Sequence, residues 1–317
     1  MSGEGALSGP VVVGYDGGAA AAAAVRWAAR EASRRGCALH VVLAHDGQDD
    51  HLPVEGPEAA TLAGVAASTR TTTAVIAHDV AARRSLVAAA GRVLVDRGAD
   101  CARDVAPDLP VETFVEFAPP AAVLVGCSLD AAMVVVGASD RGRVAGELGG
   151  SVVLAVAAHA HCPVTVVHGD VEALREVSLP VVVGVDGSPS SEVALVHAAD
   201  TAHALGVPLR VVVAWWVRTS EHLESLLRAG YPPENAGMTA EHLLAAALAA
   251  ARDRQPGLEV TGESVERRPA RALVAISARA ERLVLGTRGR GGFAALLLGS
   301  VTHTVIREAY CPVTIAR

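Results

Sequence analysis

The feature that most constrains this chain is that it repeats itself. Pro10-Val-Val-Val-Gly-Tyr-Asp-Gly-Gly18 returns as Pro180-Val-Val-Val-Gly-Val-Asp-Gly-Ser188, and Leu39-His-Val-Val-Leu-Ala44 returns as Leu209-Arg-Val-Val-Val-Ala214, 170 positions later in both cases. Toward the end of each copy the offset becomes 149. Val134–Gly137 matches Leu283–Gly286, Gly150-Ser151 matches Gly299-Ser300, Cys162-Pro-Val-Thr165 matches Cys311-Pro-Val-Thr314, and Pro120 matches Pro269. The first copy therefore carries 21 additional residues between Gly47 and Pro110. The segment from His51 to Thr73, rich in Gly, Pro and Thr and weakly periodic, is where we expect them.

A repeat of this length is a domain. The 317 residues suffice for two domains of about 150 residues, each with its own core. In each copy, short apolar runs of strand length alternate with helical periodicity, and apolar strands bounded by turns are the pattern of a parallel sheet covered by helices. Val11–Gly14 reads as a buried strand. Ala19–Arg35 reads as a helix with Val25, Trp27 and Ala28 on one side, and Ser190–Leu205 as its counterpart. The expected organisation is residues 1–168 as one domain, 169–179 as a charged linker and 180–317 as the second domain. The expected fold is α/β, with an open five-stranded parallel sheet in each domain and helices on both faces.

Composition narrows the chemistry. The sequence is 51% hydrophobic but only 3% aromatic, so the cores must be built from Ala, Val and Leu. Acidic residues outnumber basic ones 34 to 27, for a net charge of −7, which argues against nucleic acid as the partner. All 27 basic residues are arginine. Without lysine the chain can have neither the P-loop lysine, nor a pyridoxal-phosphate Schiff base, nor the strand lysine of a protein kinase. Five cysteines without paired spacing fit reduced thiols. The amino terminus shows no secretory pattern, and charged residues break the alanine-rich tracts well before membrane-spanning length. These features lead us to expect a cytoplasmic protein that does not engage a membrane.

Within the second copy, one stretch has the chemistry of an anion site. Glu281–Leu285 reads as a strand and Val301–Tyr310 as a helix. The connection between them holds glycines at 286, 289, 291 and 292 and closes on Gly299-Ser300. Glycine amides that converge without Cβ obstruction, followed by a helix start with unpaired N–H groups, suit a phosphate, and the Ser300 hydroxyl is placed to cap that helix. In such sheets ligands sit at the carboxyl ends of the strands near the reversal of strand order, where the acidic turns at Asp16 and Asp186 also fall.

These residues together, Val-Val-Gly-Val-Asp-Gly-Ser188, Gly286-x-x-Gly289 with Gly299-Ser300, and Cys-Pro-Val-Thr314, resemble the universal stress proteins, and the doubled chain resembles their tandem members. The resemblance implies tandem Rossmann-like, adenine-nucleotide-hydrolase-like domains, and ATP with magnesium bound where the glycine pattern is kept. By position it assigns Asp186 to the adenine or ribose side, Gly286 and Gly289 to ribose and phosphates, and Gly299 with Ser300 to the phosphates. Trp216 either lies against the base or packs. Arg288 and Arg290 either assist the phosphates or are solvated loop charges. The resemblance also implies that last strands pair across a two-fold, which in a doubled chain can make an internal pseudo-dimer, with association of two chains left open.

The first copy keeps Asp16, Gly137, Gly150 and Ser151 but departs elsewhere. Asp140 replaces the second motif glycine, Gly18 stands where the second copy has Ser188, and Asp46 stands in place of Trp216. A carboxylate beside a triphosphate costs about 1 to 4 kcal/mol at about 4 Å, which Arg141 and Arg143 could offset. ATP is therefore expected mainly in the second domain.

Other signals are weaker. Gly289-Arg-Gly291-Gly-Phe-Ala294 fits a dinucleotide fingerprint but follows the fourth strand rather than the first. His159, His161 and Cys162 lack further metal ligands nearby and read as structural. No nucleophile elbow or zinc-protease helix is present, so no catalytic residue and no metal site is assigned. The functions left open are a nucleotide-dependent stress or regulatory protein, a slow ATPase or phosphoryl-transfer enzyme, and an ATP-independent scaffold.

Overall fold

The computed structural model describes residues 9–46, 73–138, 150–168, 178–216, 236–290 and 297–317, with backbone alone at 73–86, 150–151 and 236. Contacts divide the chain into two units, Met1–Gly137 and Ala138–Arg317. Asp140, Arg141, Arg143, the expected insertion at 51–72, the linker at 169–177 and the segment 291–296 lie outside the described residues.

The first unit runs β1 (Val11–Gly14), α1 (Ala19–Arg35), β2 (Leu39–Ala44), α2 (Thr73–Arg103), β3 (Val111–Glu116), α3 (Pro120–Cys127) and β4 (Met133–Ala138). Its strands stand in the order β3-β2-β1-β4, all parallel. The helix expected at Ala19–Arg35 has those bounds, and Val25, Trp27 and Ala28 are buried on it. It ends where Gly36 takes a left-handed conformation at φ 65° and its amide returns to Ala32 and Ser33 carbonyls, closing the helix as a glycine does at low cost.

The second unit begins with α4 (Gly150–His159) and β5 (Val164–His168). It continues with β6 (Val181–Gly184), α5 (Pro189–Leu205), β7 (Leu209–Trp215), α6 (Ala236–Arg254), β8 (Val260–Glu266), α7 (Pro269–Ser277), β9 (Arg282–Gly286), α8 (Ser300–Glu308) and β10 (Val313–Ala316). The strand order is β5-β10-β9-β6-β7-β8. Every pairing is parallel except β5 with β10, where Thr165 faces Thr314. The two threonine hydroxyls meet at 2.8 Å in a fully buried position. Just beyond, His168 Nε2 lies 2.8 Å from the Ile306 carbonyl on α8, and the Arg317 guanidinium donates to the Ala157 carbonyl on α4. These two contacts sit at equivalent positions of the repeat and tie each strand end to the last turns of a helix, where basic groups complement exposed carbonyls.

The core is aliphatic, as the scarcity of aromatic residues requires. On one face of the second sheet, alternate residues Val181, Val183 and Val185 of the β6 run, with Val211 and Val213 of β7, pack under Ala194, Ala198 and Ala202 of α5 and Ala240, Leu244 and Ala247 of α6. Alternation along a strand sends the intervening residues to the opposite face. Val212 and Leu285, which emerge there, are available to line a cleft beside α7.

Among the described residues no helix is long and apolar enough to cross a membrane.

Candidate functional site

Strand order reverses in the second unit at β6, flanked by β7 on one side and β9 on the other, and the carboxyl edge of such a reversal leaves a crevice between the outgoing turns. A cleft of about 260 Å³ lies there. Its apolar wall comes from Val185, Val212, Ala214, Pro269, Leu273 and Leu285, and its polar end from Asp186, Arg288, Gly289, Arg290, Gly299 and Ser300. The structure therefore brings together Asp186, Gly286, Gly289, Gly299, Ser300, Arg288 and Arg290, all expected from the sequence.

Asp186 is the hub of the polar end. Its Oδ1 accepts from the Ser188 amide at 3.0 Å and the Ser188 hydroxyl at 2.6 Å, and its Oδ2 accepts from the Arg290 amide at 2.9 Å, across 104 residues of chain. Burial pushes this carboxyl up. The donors, chiefly the Ser188 hydroxyl and the Arg290 amide, outweigh burial and hold it below the usual carboxylate range.

The glycines divide by function. A Cβ on Gly286 would come within 2.5 Å of the Ser190 carbonyl, and one on Gly289 within 2.2 Å of Asp186 Oδ2. Both positions are small because protein fills the space, an architectural demand that the sequence could not separate from a ligand's. Gly299 differs. A Cβ there would meet its nearest neighbour at 3.4 Å, an ordinary contact. Among the described residues nothing crowds a side chain at 299.

Two expectations need correction. Ser300 does not cap α8: Gly299 is the N-cap, Ser300 is the first helical residue, and no side chain caps the helix. Nor are all the loop amides turned to the cleft, since the Arg290 amide serves Asp186 and the Gly299 amide serves the Thr287 carbonyl at 2.8 Å. The opening amides of Ser300, Val301 and Thr302 are donors that geometry leaves for an anion, since they precede the first intrahelical bond from His303 to Gly299. All three residues line the cleft.

Trp216 is 43% exposed and is not among the lining residues; the Arg268 guanidinium lies 6.0 Å from its ring centroid. Both predicted second-domain arginines line the cleft, and Arg290 also reaches the Gly187 carbonyl at 3.5 Å, back over the acidic turn.

Sequence reasoning missed a group of hydroxyls. Ser190 donates to the Arg288 carbonyl, Ser188 lies 3.2 Å from that same oxygen, and Thr302 donates to the Gly286 carbonyl at 3.0 Å. It also missed the apolar wall at Pro269 and Leu273. The signal for the serines was present at offset 170, where Ser188-Pro-Ser-Ser191 stands against Gly18-Ala-Ala-Ala21.

In the first unit, Asp16 is exposed and accepts the Gly18 amide at 2.8 Å. Gly137 is architectural like Gly286, with a Cβ there falling 2.5 Å from the Ala20 carbonyl. Gly150 begins α4, and Ser151 follows within it. Asp46 is exposed at the end of β2. Among the described residues no cluster of three or more His, Cys, Asp or Glu is placed to hold a metal. His159 lies 2.9 Å from the Ala155 carbonyl on its own helix.

The family model of the universal stress protein family matches residues 8–168 and 179–317. A universal stress protein of Mycobacterium tuberculosis strain H37Rv is 36% identical over 310 residues, covering 97% of this chain and 96% of that protein. A solved universal stress protein from Archaeoglobus fulgidus superposes with a TM-score of 0.62 at 15% identity, covering 98% of this chain and 99% of its own. A shorter universal stress protein, solved in complex with cAMP, is 30% identical and covers 44% of this chain and 99% of its own, with a TM-score of 0.34.

Proposed function

This chain belongs to the universal stress protein family, and on that premise we propose that its second domain binds ATP with magnesium and that occupancy of this site regulates a stress response. The observation that carries the reading is the cleft beyond β6 and β9. Its aliphatic wall is suited to a purine, and its polar end presents an ionised Asp186 suited to sugar hydroxyls together with Arg288 and the opening amides of α8, suited to phosphate. Among the described residues Asp186 is the sole acidic one lining the cleft, so magnesium would arrive on the phosphates rather than in a protein cage.

The domains proposed are residues 1–168 and 180–317, with 169–179 as linker. The antiparallel pairing of β5 with β10 supports an internal pseudo-dimer. The first domain, with an exposed acidic turn and Asp140 at the second glycine position, is read as weak or inactive toward nucleotide. The cysteines at 37, 101, 127, 162 and 311 are all unbridged, which supports a reducing, cytoplasmic setting. A hydrolytic role would require a proton acceptor near the phosphates. Asp186, held below the usual carboxylate range, is a weak base.

The test is to denature purified protein, separate the released small molecules and count adenine nucleotides per chain. We expect one, retained in Gly150→Asp and lost in Gly299→Asp, where a tolerated Cβ carries a negative charge to the phosphate end. Two nucleotides per chain would show that the first domain also binds. None, with no binding on addition of ATP and magnesium, would favour a nucleotide-independent scaffold.

A further inference from the structure

We propose that Ser188 and Ser190 are positioning residues that set the loop 286–290 for its ligand, so that competence to bind depends on hydroxyls at the start of α5 as well as on the spaced glycines. The proposal rests on the nucleotide reading of the cleft. The start of α5 reaches the loop at the Arg288 carbonyl. Ser190 Oγ donates to it, and Ser188 Oγ lies 3.2 Å away. The contact bridges 98 residues of sequence, so it is tertiary and not a local turn. Gly286 allows it: with no Cβ, the strand end lies directly against the Ser190 backbone and brings the carbonyl within reach of the hydroxyl.

Ser188 has several tasks. It caps α5 by accepting the Ser191 amide at 3.3 Å, and it donates its one proton toward Asp186 at 2.6 Å or Arg288 at 3.2 Å. A charged acceptor at the shorter distance takes that proton in preference, which leaves Ser190 as the main donor to the loop. A held Arg288 carbonyl fixes the peptide that follows it, and with it Gly289 and the Arg290 amide that closes on Asp186. Side chains that never face the ligand thereby decide whether the polar end is already formed when it arrives, and preformed sites bind more tightly because no ordering cost remains.

The first copy lacks the device. Gly18, Ala20 and Ala21 replace Ser188, Ser190 and Ser191. Its weakness toward nucleotide would then have a second cause besides Asp140.

The experiment uses the full-length chain with Ser190→Ala, Ser190→Thr and Gly299→Asp, and measures two things: equilibrium binding of ATP with magnesium, and hydrogen exchange of the amides at 287–290 without nucleotide. One lost hydrogen bond predicts affinity weakened about three- to tenfold in Ser190→Ala, with the melting temperature of the chain lowered by no more than a few degrees, faster exchange at 287–290, and recovery of affinity and exchange in Ser190→Thr. Wild-type affinity in Ser190→Ala, while Gly299→Asp abolishes binding, overturns the positioning role and leaves the nucleotide site standing. If the wild type binds no nucleotide, the nucleotide reading fails by itself. The exchange measurement then decides the clamp: faster exchange in Ser190→Ala supports it, and unchanged exchange overturns it.

Discussion

The two acidic turns of this chain share an Asp-Gly pair and differ in what surrounds the carboxylate. Asp16 is exposed and its bond to the Gly18 amide is made within the turn. Asp186 is half-buried and gathers the turn amide, the Ser188 hydroxyl and the Arg290 amide from a loop more than a hundred residues away. The same short motif is a local turn in one unit and a junction between two segments in the other. What separates them is the residue two places after the aspartate, glycine or serine, together with the helix start that follows.

The contrast can be broken at the glycines that both units share. Gly137 and Gly286 each press against a carbonyl at the start of the neighbouring helix, at 2.5 Å from where a Cβ would stand. Those atoms are backbone and cannot rotate aside. Gly137→Ala and Gly286→Ala should each destabilise their own unit by about 2 to 3 kcal/mol, the scale of overpacking a tight contact. Calorimetry on the two variants checks this. A large loss in one unit with none in the other would mean the strand ends are not built alike.

A smaller effect sharpens the difference. Ser188 is a true side-chain cap of α5, whereas α1 starts from Gly18 with no side-chain cap. Ser188→Ala should cost about 1 kcal/mol, and Gly18→Ser should gain only a few tenths, because glycine is itself an acceptable N-cap. The gain is limited further by space, since a Cβ at Gly18 would meet Asp16 Oδ1 at 3.0 Å. Denaturant midpoints of the two variants decide it. A gain in the first unit as large as the loss in the second would show that the hydroxyl works as a cap alone and owes nothing to the loop.

These contrasts also explain how much the sequence reveals. The repeat and the alternation of apolar runs were enough for the α/β class, the bounds of α1 and the strand at Leu39–Ala44, because periodicity and strand length are local properties. The membership of the cleft was readable too, since glycines and an aspartate after strands must fall at one sheet edge. Unreadable was the reason for each glycine. Gly286 and Gly299 look alike in the chain, yet a Cβ on one would collide with the Ser190 carbonyl at 2.5 Å and on the other would make only an ordinary contact at 3.4 Å. The start of α8 was misplaced by one residue for a similar reason: Ser is the better N-cap in isolation, but the Gly299 amide is bound by the Thr287 carbonyl, which puts glycine at the cap and serine inside the first turn. The sequence leaves Trp216 open between base contact and packing, and its neighbour Arg268 depends on the path of the chain into α7.

The charge of Asp186 adds an effect whose test is a matter of sign. The Asp186 carboxyl is raised by burial and lowered further by its donors, with a net shift below the usual range. A depressed folded value means the ionised form is favoured by folding. Its contribution is present in full above the unfolded value of about 3.9 and is lost as pH falls through the lower folded value. Asp186→Asn should therefore lower the stability of the second unit by about 1 kcal/mol near neutral pH, since an amide oxygen keeps only part of the hydrogen bonding. The gap between wild type and variant should close as the solution is acidified below about pH 4. Denaturation curves from pH 7 down to pH 3 test this. A gap that stays constant throughout would mean that shape and not charge makes the junction, and the contrast with Asp16 would then rest on the serines alone.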